Sequence, residues 1–156
     1  MDRIDLKILA ELQADARLSM VELSRRVGLT KTPCAERVRR LERSGVIRGY
    51  HAELDPEAMG VAHIVMVQVL LNSTTALDLR LFNEAVRKIP EIESCHMIAG
   101  DFDYLLKVRT SDIAEYRRIM GERISELPRV KQTHTYVVME LVKDERRLPV
   151  KRAESG

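Results

Sequence analysis

A chain of 156 residues can hold one domain or two small ones, and a content of 45% hydrophobic and 32% charged residues excludes the disordered and fibrous classes. The longest apolar run, residues 64–71, is far too short for a membrane-spanning helix. The net charge of +2 is unevenly placed, since residues 17–48 carry nine Lys or Arg against three Asp or Glu, whereas residues 61–156 carry 15 basic and 14 acidic side chains. This asymmetry predicts a polyanionic partner for the first stretch alone.

The cysteines and the first residues indicate a cytoplasmic protein. Cys34 and Cys95 are each embedded in an apolar pattern, without the CxxC spacing of a zinc site or a disulfide framework. Asp2, Arg3 and Asp5 interrupt any apolar start of the signal-peptide type. We therefore expect buried thiols in a reducing cytoplasm, no metal, and no membrane partner.

Three helices are predicted in the first 45 residues. Residues 2–16 place Ile4, Ile8 and Leu12 on one stripe, with Asp2 as N-cap. Residues 19–28 begin with a capping box of Ser19 and Glu22 and end at a glycine. Residues 30–45 restart a helix, capped by Thr30 or Thr32, that tolerates its proline only in the first turn. Two short helices meeting across a tight turn, covered by a third, are the layout of a helix-turn-helix.

The outer face of the third predicted helix is strongly basic. Its inward positions are Cys34, Val38 and Leu41. Cations flanking a polar residue near a helix N-terminus suit the DNA major groove, although a solvated charged face is the alternative interpretation. The candidate DNA-binding residues are Lys31, Thr32, Arg37, Arg39, Arg40 and Arg43.

These residues also carry a family resemblance. Residues 23–60, LSRRVGLTKTPCAERVRRLERSGVIRGYHAELDPEAMG, resemble the N-terminal helix-turn-helix of the Lrp/AsnC (feast/famine) transcription regulators, and the resemblance continues over essentially the whole chain. It implies a winged-helix-like DNA-binding domain in residues 1–60 and a second, amino-acid-sensing domain, called RAM and similar to ACT domains.

A domain boundary is predicted near residues 55–60, where Asp55-Pro56 and Gly60 punctuate the chain. Before it, residues 45–55 alternate in the manner of a short linker strand. After it, residues 61–143 read as strand 61–72, helix 76–89, strands 92–99 and 103–110, helix 112–127 and strand 131–142. This βαββαβ order predicts an α+β, ferredoxin-like domain. Residues 144–156 read as a polar, solvated tail with four basic residues.

Both faces of the first and last strands of this domain look apolar. Val65, Val67 and Val69 alternate with Ile64 and Met66, and residues 137–142 of the last strand repeat the pattern. Two helices cover only one face of such a sheet, so the other face predicts a partner sheet and hence an obligate homodimer. The family resemblance implies the same dimer, with assembly into octamers or comparable rings.

The histidines give no metal site. His96 and His134 occupy equivalent positions of a pseudo-repeat and could approach each other across the sheet, but hydrogen-bonded structural histidines are the expected role.

Residues 98–108, IAGDFDYLLKV, contain the most distinctive polar motif of the second half. From the residues alone, Asp101 and Asp103 fit a turn, a magnesium or acid/base pair, or a ligand clamp, and nearby sequence offers no further converging carboxylates. The family resemblance implies an amino-acid pocket between subunits, formed by Gly100, Asp101, Phe102, Asp103, Thr133 and Thr135. Backbone N–H groups near the glycine would hold the α-carboxylate and an aspartate the α-ammonium.

The function predicted is a DNA-binding transcriptional regulator of amino-acid metabolism genes, without catalytic residues or a cofactor, associated with the nucleoid. Leucine is the first effector to test, and effector binding is expected to act by changing oligomer assembly. One alternative is a specialised regulator of a single catabolic operon, for example for proline or branched-chain amino acids. An amino-acid-sensing subunit that does not bind DNA is a second. RNA binding is disfavoured because the central strands lack the stacking aromatics of RNA-recognition modules.

Overall fold

The computed structural model describes residues 1–145 and 147–150. They form two compact units, one built from Met1–Ala52 with the described residues beyond 142, and one from Glu53–Val142. Residues 146 and 151–156, which include three of the four basic residues of the predicted tail, lie outside the described residues. Among the described residues, no helix is both long and apolar enough to cross a membrane.

The first unit contains the three predicted helices, and local signals explain their ends. The N-cap Asp2 forms a capping box with Asp5, and Ser19 accepts a hydrogen bond from the backbone N–H of Glu22 at 3.1 Å. Gly28 ends the second helix at φ 76°, in the left-handed region that favours glycine. Thr30 is the N-cap of the third helix but makes no side-chain capping bond. The helices are α1 Arg3–Ala14, α2 Met20–Val27 and α3 Lys31–Arg43.

The helices pack around one small core, as their periodicity predicts. Cys34, Val38 and Leu41 of α3 are at most 5% exposed. The remaining buried residues of this core come from α1 and α2 and are Ile8, Leu23 and Val27.

The second unit is the predicted βαββαβ sandwich. Its four strands form one antiparallel sheet in the order β2-β3-β1-β4. A π-helical turn, Met120–Ile124, continues the second helix. The elements are β1 His63–Leu71, α4 Ala76–Val86, β2 Ile92–Met97, β3 Tyr104–Thr110, α5 Ile113–Ile119 and β4 Val130–Val137.

One face of this sheet forms the main core against α4 and α5. Val65, Val67 and Val69 of β1 are fully buried on it, as their alternation predicts. Phe82 of α4 stacks on Tyr104 of β3 with ring centroids 4.3 Å apart. The phenolic hydroxyl of Tyr104 donates to Asn83 Oδ1 at 2.9 Å, so its buried oxygen is satisfied.

Two strand predictions are wrong, one over its whole length and one at its end. Residues 45–55 form no strand, although all of them are described, because alternation makes a strand only where a second strand takes up its hydrogen bonds. The last strand ends at Val137 rather than at residue 142. Val137 pairs with Val65 and the Val138 N–H donates to the Ile64 carbonyl, and β1 begins only one residue before Ile64. Beyond Val138, β4 therefore has almost no partner strand left.

The sheet face away from α4 and α5 is also less apolar than predicted. Met66 and Leu70 of β1 and Leu105 of β3 are half-buried on it. However, β4 contributes Gln132, His134 and Tyr136 to that face. His96 and His134 lie on strands at opposite edges of the sheet, with β3 and β1 between them, so they do not approach each other within one chain.

The described part of the tail is attached to the first unit. Gln13 of α1 donates from Nε2 to the Leu148 carbonyl at 3.0 Å and accepts the Leu148 N–H on Oε1 at 2.8 Å. This pair of bonds imitates strand pairing, and it fastens residue 148 to α1 where a free, solvated tail was expected.

Candidate nucleic-acid interface and ligand loop

The geometry of α3 separates its predicted contact residues into two groups. Each residue turns a helix by about 100°, so the face opposite the buried Cys34, Val38 and Leu41 is a single stripe. We call it the outer stripe; its exposed members, spaced four, three and four residues apart, are Thr32, Glu36, Arg39 and Arg43. Arg37 and Arg40 lie on the flank that faces α1.

The cations on and beside the outer stripe are available for a partner. Arg39, Arg43 and, at the first position of the helix, Lys31 are exposed. None of the three makes a hydrogen bond or ion pair with another residue in the part of the chain that the structure describes. Such side chains can neutralise phosphates without first breaking a bond inside the protein.

Arg37 and Arg40, in contrast, are bound to α1. Arg37 Nη1 lies 2.5 Å from Asp2 Oδ2 and 2.9 Å from Asp5 Oδ1. Arg40 Nη2 lies 2.8 Å from each carboxylate oxygen of Asp5. The Asp5 side chain is only 3% exposed, so this carboxylate is buried beneath the two guanidinium groups.

The pKa values of both aspartates reflect this pairing. The Asp5 backbone N–H and the Arg37 guanidinium hold the pKa of Asp2 at about 2. Burial by itself would raise the pKa of Asp5, but the Asp2 backbone N–H and Arg37 outweigh it and lower that pKa. Both carboxylates are therefore charged at neutral pH, and all three ion pairs with Arg37 and Arg40 persist.

Asp2 is predicted from the sequence as a helix cap, and neither Asp2 nor Asp5 has a predicted role toward α3. A signal was present, since acids three residues apart on α1 match arginines three residues apart on α3, each pair lying on one side of its helix.

The arginines of α2 are also paired. Arg26 bonds to both Glu11 and Glu22, and Arg25 bonds to Glu22. The Glu22 carboxylate therefore accepts hydrogen bonds from these arginines rather than from the Ser19 backbone N–H. Only the bond from the Glu22 N–H to the Ser19 side chain forms in the predicted capping box. The hydrogen bonds from Arg25 and Arg26 hold the pKa of Glu22 at about 2.

The two aspartates of the loop between β2 and β3 lie in different environments. The loop is closed by the Ile98 N–H, which donates to the Asp103 carbonyl at 2.9 Å. Asp103 extends the β1–β3 pairing, because its N–H donates to the Val69 carbonyl at 3.0 Å and its carboxylate accepts the Leu71 N–H at 2.7 Å. Asp101 is exposed and makes no hydrogen bond or ion pair to the described residues.

Gly100 and Phe102 of this loop differ in exposure. Gly100 is exposed and has no positive φ, and a Cβ added there would meet only Ile98 Cγ2, at an ordinary 3.6 Å. Within one chain, nothing therefore requires glycine at this position. Phe102 is half-buried.

The two predicted threonines lie on β4, on the sheet face that the helices cover. Val69 of β1 pairs with Thr133 on one side and with Tyr104 of β3 on the other. Asp103 directly precedes Tyr104 in the chain. Since neighbouring strands lie about 4.8 Å apart, Thr133 and the loop flank β1 at the same end of the sheet. Thr135 lies two residues further along β4, with its hydroxyl 2.6 Å from that of Tyr116. Burial raises the pKa of Tyr116, so this phenol is protonated.

Residues suited to metal binding are scattered. Among the described residues, no group of three or more His, Cys, Asp or Glu side chains could hold a metal ion.

Comparison with known proteins places both units in one family. Residues 1–48 match the winged helix-turn-helix DNA-binding model, and residues 64–148 match the Lrp/AsnC ligand binding domain. The chain is 56% identical over 144 residues to the proline dehydrogenase transcriptional activator of Rhizobium radiobacter, covering 92% of each chain. It is 53% identical over 151 residues to the leucine-responsive regulatory protein of Escherichia coli, covering 97% of this chain and 92% of that protein.

Solved structures agree with this assignment over nearly the whole chain. An AsnC family transcriptional regulator from Agrobacterium tumefaciens superimposes with a TM-score of 0.91 at 36% identity, covering 96% of this chain and 97% of that one. A transcriptional regulator in complex with L-Met from Neisseria meningitidis gives a TM-score of 0.89 at 32% identity, with the same coverage.

Proposed function

Since this chain belongs to the Lrp/AsnC family of DNA-binding transcriptional regulators that respond to amino acids, we propose that it reads double-stranded DNA with the outer stripe of α3. The contacts would come from Lys31, Thr32, Arg39 and Arg43. The observation that carries this proposal is that these cations are exposed and unpaired among the described residues, while the neighbouring arginines are paired. Thr32 near the helix N-terminus would reach base edges, and the arginines phosphates.

Salt dependence of DNA binding tests this interface. Removing one cation that neutralises a phosphate lowers the slope of log affinity against log salt by about 0.9. We expect Arg43→Gln and Arg39→Gln each to reduce the slope by about that amount. Between 50 and 200 mM salt, such a variant would lose about three- to four-fold less affinity than the parent. Lys88→Gln, the same charge change at an exposed lysine of the other unit, is the control. Parental slopes for both arginine variants would reject the interface.

We further propose that the effector is an amino acid with an apolar side chain, bound at loop 98–103. Asp101 would bind its α-ammonium group, and backbone N–H groups around Gly100 would bind its α-carboxylate. Asp103 would position the loop through its hydrogen bonds to β1. Two supports are the unpaired carboxylate of Asp101 and the exposure of Gly100. Phe102, Thr133 and Thr135 would complete the site from the loop and from β4.

Leucine is the first effector to test and proline the second, because relatives of similar identity are named for leucine response and for proline dehydrogenase activation. Methionine joins them because a structural relative was solved with L-Met. Calorimetric titration of the full chain with each amino acid distinguishes a leucine-responsive regulator from a specialised regulator of proline catabolism. The identity of the amino acid that binds decides between them.

The proposal includes assembly. A second copy would cover the sheet face away from α4 and α5, where apolar Met66, Leu70 and Leu105 lie beside polar Gln68, Gln132 and His134. Interfaces between protein subunits commonly combine apolar and polar side chains in this way. The dimer would present two copies of α3 to a pseudo-palindromic site, and dimers would join into an octamer or a comparable ring.

Sedimentation velocity tests this assembly. Leu105→Lys, at the centre of the face, should dissociate the dimer, whereas Gln132→Lys on the edge strand β4 should not. A monomeric parent protein, or a Leu105→Lys variant as dimeric as the parent, would contradict the proposal.

The regulatory mechanism we propose is a population shift. An amino acid bound between subunits would favour one assembly over another, and with it one spacing of α3 pairs along the DNA. A regulator of this kind works on the chromosome, so we place it in the cytoplasm, on the nucleoid.

A further inference from the structure

Two of the arginines on α3 are engaged inside the protein. We propose that Asp5 withholds Arg37 and Arg40 from DNA, so that Asp5 is a positioning residue that limits non-specific phosphate binding. The inference rests on the proposed α3 interface. It assigns α3 two functional sides, an outer stripe that contacts DNA and a flank whose positive charge is neutralised by α1.

Both oxygens of the Asp5 carboxylate accept hydrogen bonds within the protein. It accepts from Arg37 Nη1 at 2.9 Å and from Arg40 Nη2 at 2.8 Å on each oxygen. It also accepts the backbone N–H of Asp2 at 3.1 Å, as part of the α1 capping box. Because its side chain is 3% exposed, the carboxylate is shielded from water while both arginines are bound.

The ion pair, rather than packing, holds Arg40 in place. Its side chain is 55% exposed and borders an open depression of about 540 Å³, lined also by Met1, Leu41 and Val46. Arg37 is more enclosed, at 24% exposed, and is held by Asp2 in addition to Asp5.

The consequence concerns the sequence-independent part of DNA affinity. Non-specific DNA affinity comes almost entirely from cations that displace counterions from phosphates, whatever the base sequence. An arginine already neutralised by a buried carboxylate contributes little to that affinity. By pairing two arginines, Asp5 lowers affinity for all DNA sequences and leaves base-edge contacts of the outer stripe unchanged.

The test compares Arg40→Gln with Arg43→Gln on a non-specific duplex between 50 and 200 mM salt. Both remove one exposed arginine from α3, and after Arg40→Gln the Asp5 carboxylate keeps Arg37. We expect the parental salt slope for Arg40→Gln and a slope lower by about 0.9 for Arg43→Gln. Equally reduced slopes in both variants would overturn the inference and leave the proposed interface intact. A parental slope for Arg43→Gln would reject the interface, and the inference with it.

Asp5→Asn tests the same idea in the opposite direction. Releasing one or both arginines should steepen the non-specific slope by about one to two and raise affinity for the non-specific duplex at 50 mM salt. Glu122→Gln, which removes the same charge at an exposed position of the other unit, is the control. Adding Arg40→Gln to Asp5→Asn should take back about 0.9 of the slope. A folded Asp5→Asn protein with the parental slope would overturn the inference; if this variant does not fold, the Arg40 and Arg43 comparison decides.

Discussion

The two aspartates of loop 98–103 should respond differently to mutation. Asp101 is exposed and has no partner among the described residues, whereas Asp103 accepts the Leu71 N–H at 2.7 Å. We expect Asp101→Asn to weaken amino-acid binding without changing stability. We expect Asp103→Ala to destabilise the second unit, because the N–H at the end of β1 loses its acceptor.

The magnitudes follow from the bonds involved. A hydrogen bond to a charged group contributes about 1.5–3 kcal/mol, which corresponds to about 12- to 150-fold weaker effector binding in Asp101→Asn. An exposed substitution changes the free energy of unfolding by about 0.5 kcal/mol or less. In Asp103→Ala, leaving the Leu71 N–H without its partner costs about 1–3 kcal/mol of that free energy.

Two assays separate the effects. Calorimetric titration with leucine, and with proline if leucine does not bind, gives the dissociation constant. Urea unfolding followed by circular dichroism gives stability, at one fixed protein concentration because assembly shifts the midpoint. DNA binding without effector should survive in Asp101→Asn. Unchanged effector affinity in Asp101→Asn would remove that residue from the site, and a loss of stability equal to that of Asp103→Ala would make the loop purely structural.

Three further outcomes are expected. Gly28→Ala should lower the free energy of unfolding by about 1–2 kcal/mol, because an alanine is strained at a φ of 76° although its Cβ would meet nothing within 4 Å. Gly121→Ala is the control in a parallel urea titration; it has equal space and no positive φ, and should cause no loss. Equal losses in the two variants would refute the backbone argument. The hydroxyls of Ser73 and Thr75 and the Arg129 guanidinium hold the pKa of Asp78 at about 2 in the folded protein, against 3.8 ordinarily. Its stabilisation is therefore present above about pH 4 and lost as pH falls through 2, so Asp78→Asn should flatten the acid limb of a stability–pH curve; an unchanged limb would contradict the pairing. Phe82→Ala should lower the free energy of unfolding by about 3–5 kcal/mol, because this ring is fully buried against Tyr104. A loss below about 1 kcal/mol in urea titrations would mean that the core collapses around the gap.

Features decided by neighbouring residues were accessible from the sequence. Helix starts at Asp2 and Ser19, the stop at Gly28 and the inward stripe of α3 depend on contacts within about four positions, and all four predictions are confirmed. The βαββαβ order and the buried valines of β1 follow from periodicity in the same way. The basic face of α3 and the family resemblance together sufficed to predict a DNA-binding regulator.

Features decided by distant partners needed the tertiary structure. A strand lasts only as long as its neighbour, so the end of β4 depends on where β1 begins, and the alternation of residues 45–55 makes no strand without a partner. The two aspartates of the loop read alike in sequence, and only the Leu71 N–H, 32 positions away, makes Asp103 structural. Arg40 and Arg43 likewise read alike along α3, and Asp5, 35 positions from Arg40, separates them. Charge and periodicity are properties of the chain, but whether a charge is free for a partner depends on what folding brings beside it.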